Sequence, residues 1–424
     1  MRPLLRVFSA CFLLLGTTIS LAQTDTIRIM QYNLLNYGQS NNLPAFKDPR
    51  LNTIIQHVQP DILGTNEIAN NAAHSLRIKD SVLGSGWSKG SYINTGNELQ
   101  TNMLFWRTSK FGLISEQSIC SNLRDIIAYR LYYKDTITVA HDTVFLTIIV
   151  AHLKASQGTQ EEADRAAETQ EVVDYLDSIG VQGNYVFMGD MNIYTYTEQA
   201  YQNVINSTSM YSKLFDPINM PGDWNADASF AAIHTQSTRT AQLSDGGANG
   251  GLDDRFDFQL VSNYVMTDSA GMKYIPNTYK ALGQDGLHFN DSLTALPTNT
   301  SAPWNVIQAL YEMSDHLPVI ADYRIHADAP VSIKSVNEVT YNTKVVNPIT
   351  NQKLSISFDK NLAGKTANIN LYSITGSKLF SRDVQVDKNT LLQSFTLNDI
   401  SAGLYFIRIT TEKGYSYFSK IISY

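Results

Sequence analysis

Short apolar runs alternate with helix-like patterns along most of the chain. Residues 27–32 predict a first strand, and the strongly apolar runs at 103–106 and 144–151 predict further strands. Between such runs, residues 51–58 and 162–178 repeat apolar side chains every three or four positions, which predicts helices. Strands that alternate with helices in this way favour a layered α/β fold with helices outside the sheets.

The second of these helices is predicted to be amphipathic. Its inward face would contain Ala163, Ala166, Val173 and Leu176, and Gly180 would end it. A later stretch, residues 221–251, is rich in Gly, Ala, Asn, Asp and Ser and predicts a long loop. Loops of this length inside a compact domain usually serve function.

The pattern changes after residue 323. From residue 345 onward, short alternating strands are separated by turn residues, and no helical spacing is present. This predicts a small β-sandwich of about 80 residues. Residues 327–340 have the composition of a linker.

The first 22 residues carry the pattern of an export signal. Arg2 and Arg6 precede a mostly apolar stretch at 7–16, and residues 20–22 form a small-x-small cleavage site. The apolar stretch is shorter than the roughly 20 residues of a membrane-spanning helix. We therefore expect an exported protein without stable membrane insertion. The predicted boundaries are a signal peptide at 1–22, an α/β domain at 24–326, a linker at 327–340 and a β-sandwich at 341–424.

Composition and charge narrow the function classes. The chain is 43% hydrophobic and 17% charged, which excludes a wholly disordered chain. Its formal charge of -7 argues against non-specific, charge-driven binding of nucleic acid, which needs many Lys and Arg contacts to phosphate. An enzyme that holds phosphate through a metal stays possible. Outside the predicted signal peptide only Cys120 remains, so neither an internal disulfide nor a thiolate zinc site is expected.

Acidic, amide and imidazole side chains stand at the ends of predicted strands, where sites form in α/β folds. In chain order they are Asn33, Glu67, His152, Asp190, Asn192, Asp257, Asp315 and His316. Taken singly, each has an ordinary alternative as a turn, cap or structural residue. Their joint pattern is far more specific than any one member.

The carboxylates in this set favour a hard divalent cation. Glu67 and Asp315 offer the oxygen ligands that Mg²⁺ or Mn²⁺ prefers, and Ca²⁺ is an alternative. A metal beside histidines and further aspartates suits phosphoryl chemistry, because it neutralises developing charge while a His–Asp pair activates water. Zinc is less favoured, since neither His-x-x-x-His nor a Cys pair is present.

Six short motifs resemble a known superfamily. They are Tyr-Asn-Leu-Leu-Asn at 32–36, Asn-Glu-Ile at 66–68, Ala-His-Leu-Lys at 151–154, Gly-Asp-Met-Asn at 189–192, Arg-Phe-Asp-Phe at 255–258 and Ser-Asp-His-Leu-Pro at 314–318. In this order they resemble the endonuclease/exonuclease/phosphatase, or DNase I-like, superfamily over about residues 25–325. The resemblance implies a four-layer α/β sandwich with two central mixed β-sheets.

The same resemblance implies a metal site. Glu67 would be the principal ligand, with Asp315 and Asn33 nearby. Leu35 stands where some members carry a second metal-binding Asp, which leaves one or two metals open. Glu98 is the nearest acid to a second glutamate of DNase I-like enzymes, or else a solvated loop residue.

The resemblance also implies catalytic roles. His316, oriented by Asp257, would be the general base or would stabilise the transition state. Asp190 and Asn192 would position the phosphate and the nucleophile, and either Asp190 or His316 would take the proton. His152 would contact phosphate or assist the leaving group. Two cations, Arg124 and Lys154, are further candidates for substrate phosphate.

The C-terminal region resembles the sorting domains of the type IX secretion system. The residues that carry this resemblance are 346–348, 371–376, 401–407 and 417–422, and it covers about residues 340–424. It implies the type IX machinery as a partner, passage across the outer membrane, and often removal of the domain with surface attachment. The alternative is a carbohydrate-binding or adhesion module.

These observations predict a secreted, divalent-metal-dependent phosphodiesterase. We expect a monomeric nuclease that hydrolyses extracellular DNA or RNA by in-line attack of activated water. One alternative is a sphingomyelinase-like enzyme or another small phosphoester hydrolase. The other is a non-catalytic, surface-attached binding protein with a relic site. Endo- or exo-action stays open.

Overall fold

The computed structural model describes residues 24–95, 99–120, 124–134, 144–326, 343–374, 377–398, 400–411 and 416–423. The predicted signal peptide at 1–22, the predicted linker at 327–340 and Glu98 lie outside these residues.

Two mixed β-sheets form the centre of the region 24–326. Their strands are β1 (Thr24–Tyr37), β2 (Ile62–Ala69), β3 (Trp87–Lys89), β4 (Gln100–Arg107), β5 (Phe111–Cys120), β6 (Ile126–Tyr133), β7 (Phe145–His152), β8 (Asn184–Asp190), β9 (Leu214–Phe215), β10 (Asp257–Ser262), β11 (Met272–Tyr274), β12 (Lys280–Ala281) and β13 (Val319–His326). The first sheet has the order β11-β13-β1-β2-β4-β3, with β12 beside β13, and the second has the order β5-β6-β7-β8-β10-β9. The pairs β1–β2 and β7–β8 are parallel, and the other pairs are antiparallel.

Helices cover the outer faces of both sheets. They are α1 (Pro44–Val58), α2 (Ala72–Arg77), α3 (Thr159–Ile179), α4 (Gln199–Ile205), α5 (Asn263–Thr267) and α6 (Trp304–Met313). A π-helical turn at Ile78–Leu83 and a 3-10 helix at Ala228–Ile233 complete the helical segments of the described chain.

Hydrophobic cores separate the layers. Ile54 of α1 and Leu310 of α6 pack in a cluster on the first sheet. Ile29 of β1 and Ile148 of β7 belong to the cluster in which the two sheets meet. Leu176 of α3 packs in a third cluster on the second sheet. This is a helix–sheet–sheet–helix sandwich, so the predicted four-layer fold is confirmed.

The first half of α3 differs from the prediction. Val173 and Leu176 are buried as expected, but Ala163 is exposed. The buried side chains in that half include Arg165 and Glu168 instead. They can be buried because they bind the loops that follow β7 and β8. Pairing and hydrogen bonding are what make buried charges tolerable.

Residues 343–423 contain a second structural unit. Its strands are β14 (Lys344–Val345), β15 (Lys353–Ser357), β16 (Thr366–Ser373), β17 (Lys378–Gln385), β18 (Leu392–Thr396), β19 (Gly403–Thr411) and β20 (Ser416–Ser423). They form sheets of order β14-β15-β18 and β17-β16-β19-β20. Ile356 and Ile407 from the two sheets share one buried cluster. The predicted small β-sandwich is confirmed, while the exact domain boundaries stay a prediction.

Among the helices of the described residues, none is long and apolar enough to cross a membrane.

Candidate active site

Strand register brings the predicted residues to one edge of the sandwich. The parallel pairing of β1 with β2 places Asn33 beside the end of β2, where Glu67 lies. In the second sheet, His152 pairs with Asp190, and Asp190 pairs with Asp257. Residues far apart in sequence therefore converge because these strand ends are neighbours.

Asn33 links the two sheets at this edge. Its Nδ2 donates to Glu67 Oε1 at 3.1 Å and to Asp190 Oδ2 at 2.9 Å. Its Oδ1 accepts a hydrogen bond from the backbone N–H of Leu35 at 2.9 Å. The amide thus presents its nitrogen to both carboxylates, whereas the prediction of Asn33 as a metal ligand needs its oxygen. The imidazole Nε2 of His152 lies 3.5 Å from Asp190 Oδ2 and 3.9 Å from Glu67 Oε1.

His316 and Asp257 form a buried dyad. His316 Nδ1 is 2.7 Å from Asp257 Oδ2, and its Nε2 is 3.5 Å from Asp190 Oδ2. The Nε2 amide of Gln236 lies 2.6 Å from His316 Nε2. Because an amide nitrogen can only donate, neutral His316 accepts there and donates its Nδ1 proton to Asp257.

Asp315 is held by the long loop that the composition predicts at 221–251. Its Oδ2 accepts a hydrogen bond from the backbone N–H of Ala248 at 2.7 Å and one from Gln236 Nε2 at 3.2 Å. Gly247 packs so closely that an added Cβ would lie 2.9 Å from Asp315 Cγ. Gln236, Gly247 and Ala248 are site residues that the sequence motifs do not contain.

Burial raises the pKa of two carboxyls at the site. Burial, then repulsion from Asp315, raises the pKa of Glu67, although the hydrogen bond from Asn33 opposes the change. Burial also raises the pKa of Asp190 to about 7, with a smaller contribution from Asp257 and opposition from His316. Both carboxyls therefore favour the protonated form more than a solvent-exposed carboxyl does.

The two histidines respond in opposite directions. Burial opposes charge on His316, but Asp257, Asp190 and Asp315 outweigh it and raise its pKa well above the ordinary value. Burial lowers the pKa of His152 well below its ordinary value, and Arg124 and His316 add to this effect. Different surroundings thus push apart the pKa values of two identical side chains, a typical feature of acid–base sites.

The donor set fits a divalent cation. Ligand atoms of Glu67, His152 and Asp190 all lie within 4.8 Å of one another. Two of these groups are carboxyls, Glu67 partly buried and Asp190 almost fully buried, and burial is the main cause of their raised pKa values. A cation bound there would offset the cost of burying them, and oxygen-rich sites of this kind suit Mg²⁺ or Mn²⁺.

The remaining candidates differ in position. Arg124 lines the pocket of about 330 Å³ that contains these residues, and its Nη1 donates to the Leu153 carbonyl at 2.6 Å. Asn192 also lines the pocket, and its backbone N–H donates to Asp190 Oδ1 at 3.2 Å. Lys154 does not belong to the pocket's described lining; its Nζ donates to the Ala155 carbonyl at 3.0 Å.

Comparison with known families identifies the C-terminal region. Residues 347–424 match the family model of the secretion system C-terminal sorting domain. The chain ends in a sorting domain. The predicted sorting domain and the predicted export to the cell surface or beyond are thereby confirmed, and the secretion machinery is its implied partner.

The α/β region is similar to solved structures, whereas no curated protein matches the chain. An endonuclease/exonuclease/phosphatase from Bacteroides vulgatus is 16% identical, with a TM-score of 0.45, over 71% of this chain and 99% of that one. A family protein from Bacteroides thetaiotaomicron is 16% identical, with a TM-score of 0.44, over 72% and 99%. TDP2 of D. rerio, solved with a single-strand DNA product, is 13% identical, with a TM-score of 0.45, over 70% and 98%.

Proposed function

We propose that the protein is an exported, divalent-metal-dependent phosphodiesterase that hydrolyses nucleic acid outside the cell. The observation that carries the proposal is the cluster of Glu67, His152, Asp190, Asp315 and His316 at one pocket, in which every member except the partly exposed Glu67 is buried. Structural needs alone do not favour such a cluster, because each buried charge costs solvation energy. We further propose the domain boundaries given above and a monomeric state.

Glu67, Asp190 and His152 would hold the cation, with Asp315 beside them. When bound, the cation would neutralise charge on the phosphate and lower the pKa of a water molecule. Asn33 would orient two of the ligands, because its amide donates to Glu67 and Asp190 together.

His316 would receive the proton of the attacking water. Its Nε2 lies 3.5 Å from Oδ2 of Asp190, so the carboxylate that would hold the cation also faces the imidazole that accepts the proton. Asp257 would hold the Nδ1 proton of His316 and stabilise the imidazolium after proton transfer.

Asn192, Arg124 and His152 would place the phosphate. Among the described residues, Nε and Nη2 of Arg124 have no hydrogen-bond partner, so its guanidinium can bind a phosphate oxygen while Nη1 holds the Leu153 carbonyl. His152 stays neutral at physiological pH because its pKa is low, and its imidazole can therefore bind the cation or donate one hydrogen bond.

The experiment is a substrate panel with the purified chain. Plasmid, linear DNA, RNA, sphingomyelin and a sugar phosphate are each incubated with Mg²⁺ or Mn²⁺, with and without chelator. We expect chelator-sensitive hydrolysis of nucleic acid, reduced about 10²–10⁴-fold by Asp190→Asn or His316→Gln. Asp174→Asn, an exposed change on α3, is the matched control.

Each outcome decides between functions. Hydrolysis of sphingomyelin alone would establish the lipid phosphodiesterase alternative. Failure to cleave any phosphoester and failure to bind either cation would leave a binding protein with a relic site. Full activity of Asp190→Asn on every substrate would reject the mechanism.

A further inference from the structure

A second cavity adjoins the catalytic pocket. It has a volume of about 480 Å³, and its walls include Thr159, Glu162, Tyr194, Thr195 and Glu198. Tyr194 also lines the catalytic pocket, so one aromatic side chain belongs to both spaces. None of the catalytic steps described above uses this second cavity.

The position of Tyr194 connects the cavity to the scissile phosphate. It follows Asn192 by two residues, so the two Cα atoms are at most about 7 Å apart. Its ring packs edge-on against Phe256 with centroids 4.8 Å apart, and its backbone N–H donates to Glu198 Oε1 at 2.8 Å. A group attached to a phosphate at Asn192 would therefore lie close to Tyr194, the residue that lines both spaces.

The cavity differs from the catalytic pocket in charge. Its described lining contains carboxylates but neither Lys, Arg nor His. Glu198 is neutralised by the fully buried Arg165, whose Nε donates to it at 2.8 Å. Glu162 is exposed at the wall, so the cavity keeps a net negative charge. A second phosphate would be repelled there.

The lining does suit a neutral group with hydroxyls. Thr159 offers a hydroxyl that can donate and accept, and Glu162 offers acceptors. The Thr195 hydroxyl already lies 3.3 Å from Thr197 Oγ1 and 3.5 Å from the Gly222 carbonyl, so it can add only a shared hydrogen bond. The Tyr194 ring has the Arg165 guanidinium 5.5 Å from its centroid and packs against Phe256, and the part of the ring that lines the cavity can contact the C–H groups of a sugar. Together these groups can satisfy a sugar without requiring a charge on it.

We propose that this cavity binds an uncharged, hydroxyl-bearing group, a nucleoside sugar, attached to the scissile phosphate. The inference rests on the proposed phosphodiesterase function. It assigns a preference for substrates with no second phosphate on that side, such as chain ends and short phosphodiesters. Tyr194 and Glu162 are its specificity-determining residues.

The test uses the full chain and three p-nitrophenyl phosphodiesters. They are the methyl ester, the thymidine 5′ ester, and the thymidine 5′ ester that carries an added 3′-phosphate. We expect the highest kcat/KM on the thymidine ester and a marked loss with the added phosphate. The ratio of kcat/KM for the thymidine ester to kcat/KM for its 3′-phosphorylated form should be about threefold to fivefold smaller in Glu162→Lys. The reason is that this variant reverses one charge near the added phosphate.

Variants of Tyr194 and a distant charge control test whether the cavity causes these preferences. Tyr194→Ala should abolish the preference for the thymidine ester over the methyl ester, whereas Tyr194→Phe should keep it. Asp174→Lys makes the same charge change about 18 Å further along α3 and should leave discrimination unchanged. Circular dichroism verifies that each variant is folded.

The outcomes separate the two proposals. A wild-type chain that cleaves none of the three esters or nucleic acid would overturn the phosphodiesterase function itself. If the wild type cleaves both thymidine esters equally, or Glu162→Lys discriminates exactly like Asp174→Lys, the sugar subsite is rejected while the phosphodiesterase function stands.

Discussion

Replacing Gly247 with alanine should damage the site through one measurable displacement. Gly247 has a φ of +84°, and a Cβ built on it would lie 2.9 Å from Asp315 Cγ and 3.1 Å from Leu35 Cδ1. Ordinary contacts to a Cβ begin at 3.4 Å, so Asp315 must move by about 0.5 Å, given how closely interiors are packed. The carboxylate would then lose its alignment with the Ala248 N–H, which is now 2.7 Å away.

The neighbouring Gly246 provides the matched control. Its φ is +83°, nearly the same, but the nearest atom to its Cβ would be Asn41 Nδ2 at 3.6 Å. The left-handed backbone conformation should therefore destabilise both alanine variants equally, by about 1–2 kcal/mol. Only Gly247→Ala adds displacement of Asp315. A misplacement of about 1 Å costs roughly 10²-fold in rate, so about 0.5 Å should cost about tenfold.

Two measurements test this reasoning. Urea unfolding should show the backbone cost in both variants and a larger loss of stability in Gly247→Ala, because its added Cβ also displaces Asp315. The rate of phosphodiester hydrolysis should fall about tenfold further in Gly247→Ala than in Gly246→Ala. Titration with Mn²⁺ should show weaker binding only in Gly247→Ala. Equal activities and equal Mn²⁺ affinities in the two variants would refute the proposed coupling between the loop and Asp315.

Other predictions concern charges. Burial raises the pKa of Glu168 to about 7 from 4.5, so the folded chain binds the extra proton and stability falls as the pH rises through this window. In Glu168→Gln, the drop in the free energy of unfolding between pH 4 and pH 8, measured with urea, should be smaller by about 3 kcal/mol than in the wild type. An unchanged pH dependence contradicts this. Asp216→Ala leaves the buried Arg255 without its two hydrogen bonds and should cost about 3–5 kcal/mol; a loss below about 1 kcal/mol in the same assay rejects the pair's role. Arg124→Ala should lower kcat/KM about tenfold or more, whereas Lys154→Ala, outside the pocket lining, should lower it less than about threefold; equal losses would disprove the distinction.

The layers of the fold are predictable because local spacing determines them. The apolar runs at 103–106 and 144–151 lie in β4 and β7, and the helical face of α1 buries Leu51, Ile54 and the residues that share it. Each of these elements buries one face, and the spacing of apolar residues reveals that face without knowledge of its partner.

The motif residues could be predicted for a related reason. Asn33, Glu67, His152 and Asp190 sit at or near strand ends, and pairing of adjacent strands makes those ends neighbours. Gln236 is different, because its contact with His316 depends on the path of a long irregular loop. No pattern of neighbouring residues in the sequence predicts the path of this loop.

Charged residues on α3 show a second limit of sequence patterns. Spacing alone places charges on the exposed face of a helix, yet Arg165 and Glu168 are buried. Arg165 binds Glu198, and Glu168 accepts the backbone N–H of Lys154 at 2.8 Å. These partners lie in loops beyond β7 and β8, so burial of the charges follows from tertiary pairing that spacing does not encode.

The distribution of charge bears on the proposed action of this acidic chain on a polyanion. The carboxyls of Glu67, Asp190 and Asp315 line the pocket. Among the described residues that line it, Arg124 is the only one with a lysine or arginine side chain. Long-range attraction of nucleic acid needs several such cations and weakens steeply with salt. With few of them, nucleic-acid binding under the proposed function would depend instead on the cation that the carboxyls would hold. Substrate affinity should therefore respond more strongly to the concentration of divalent metal than to ionic strength.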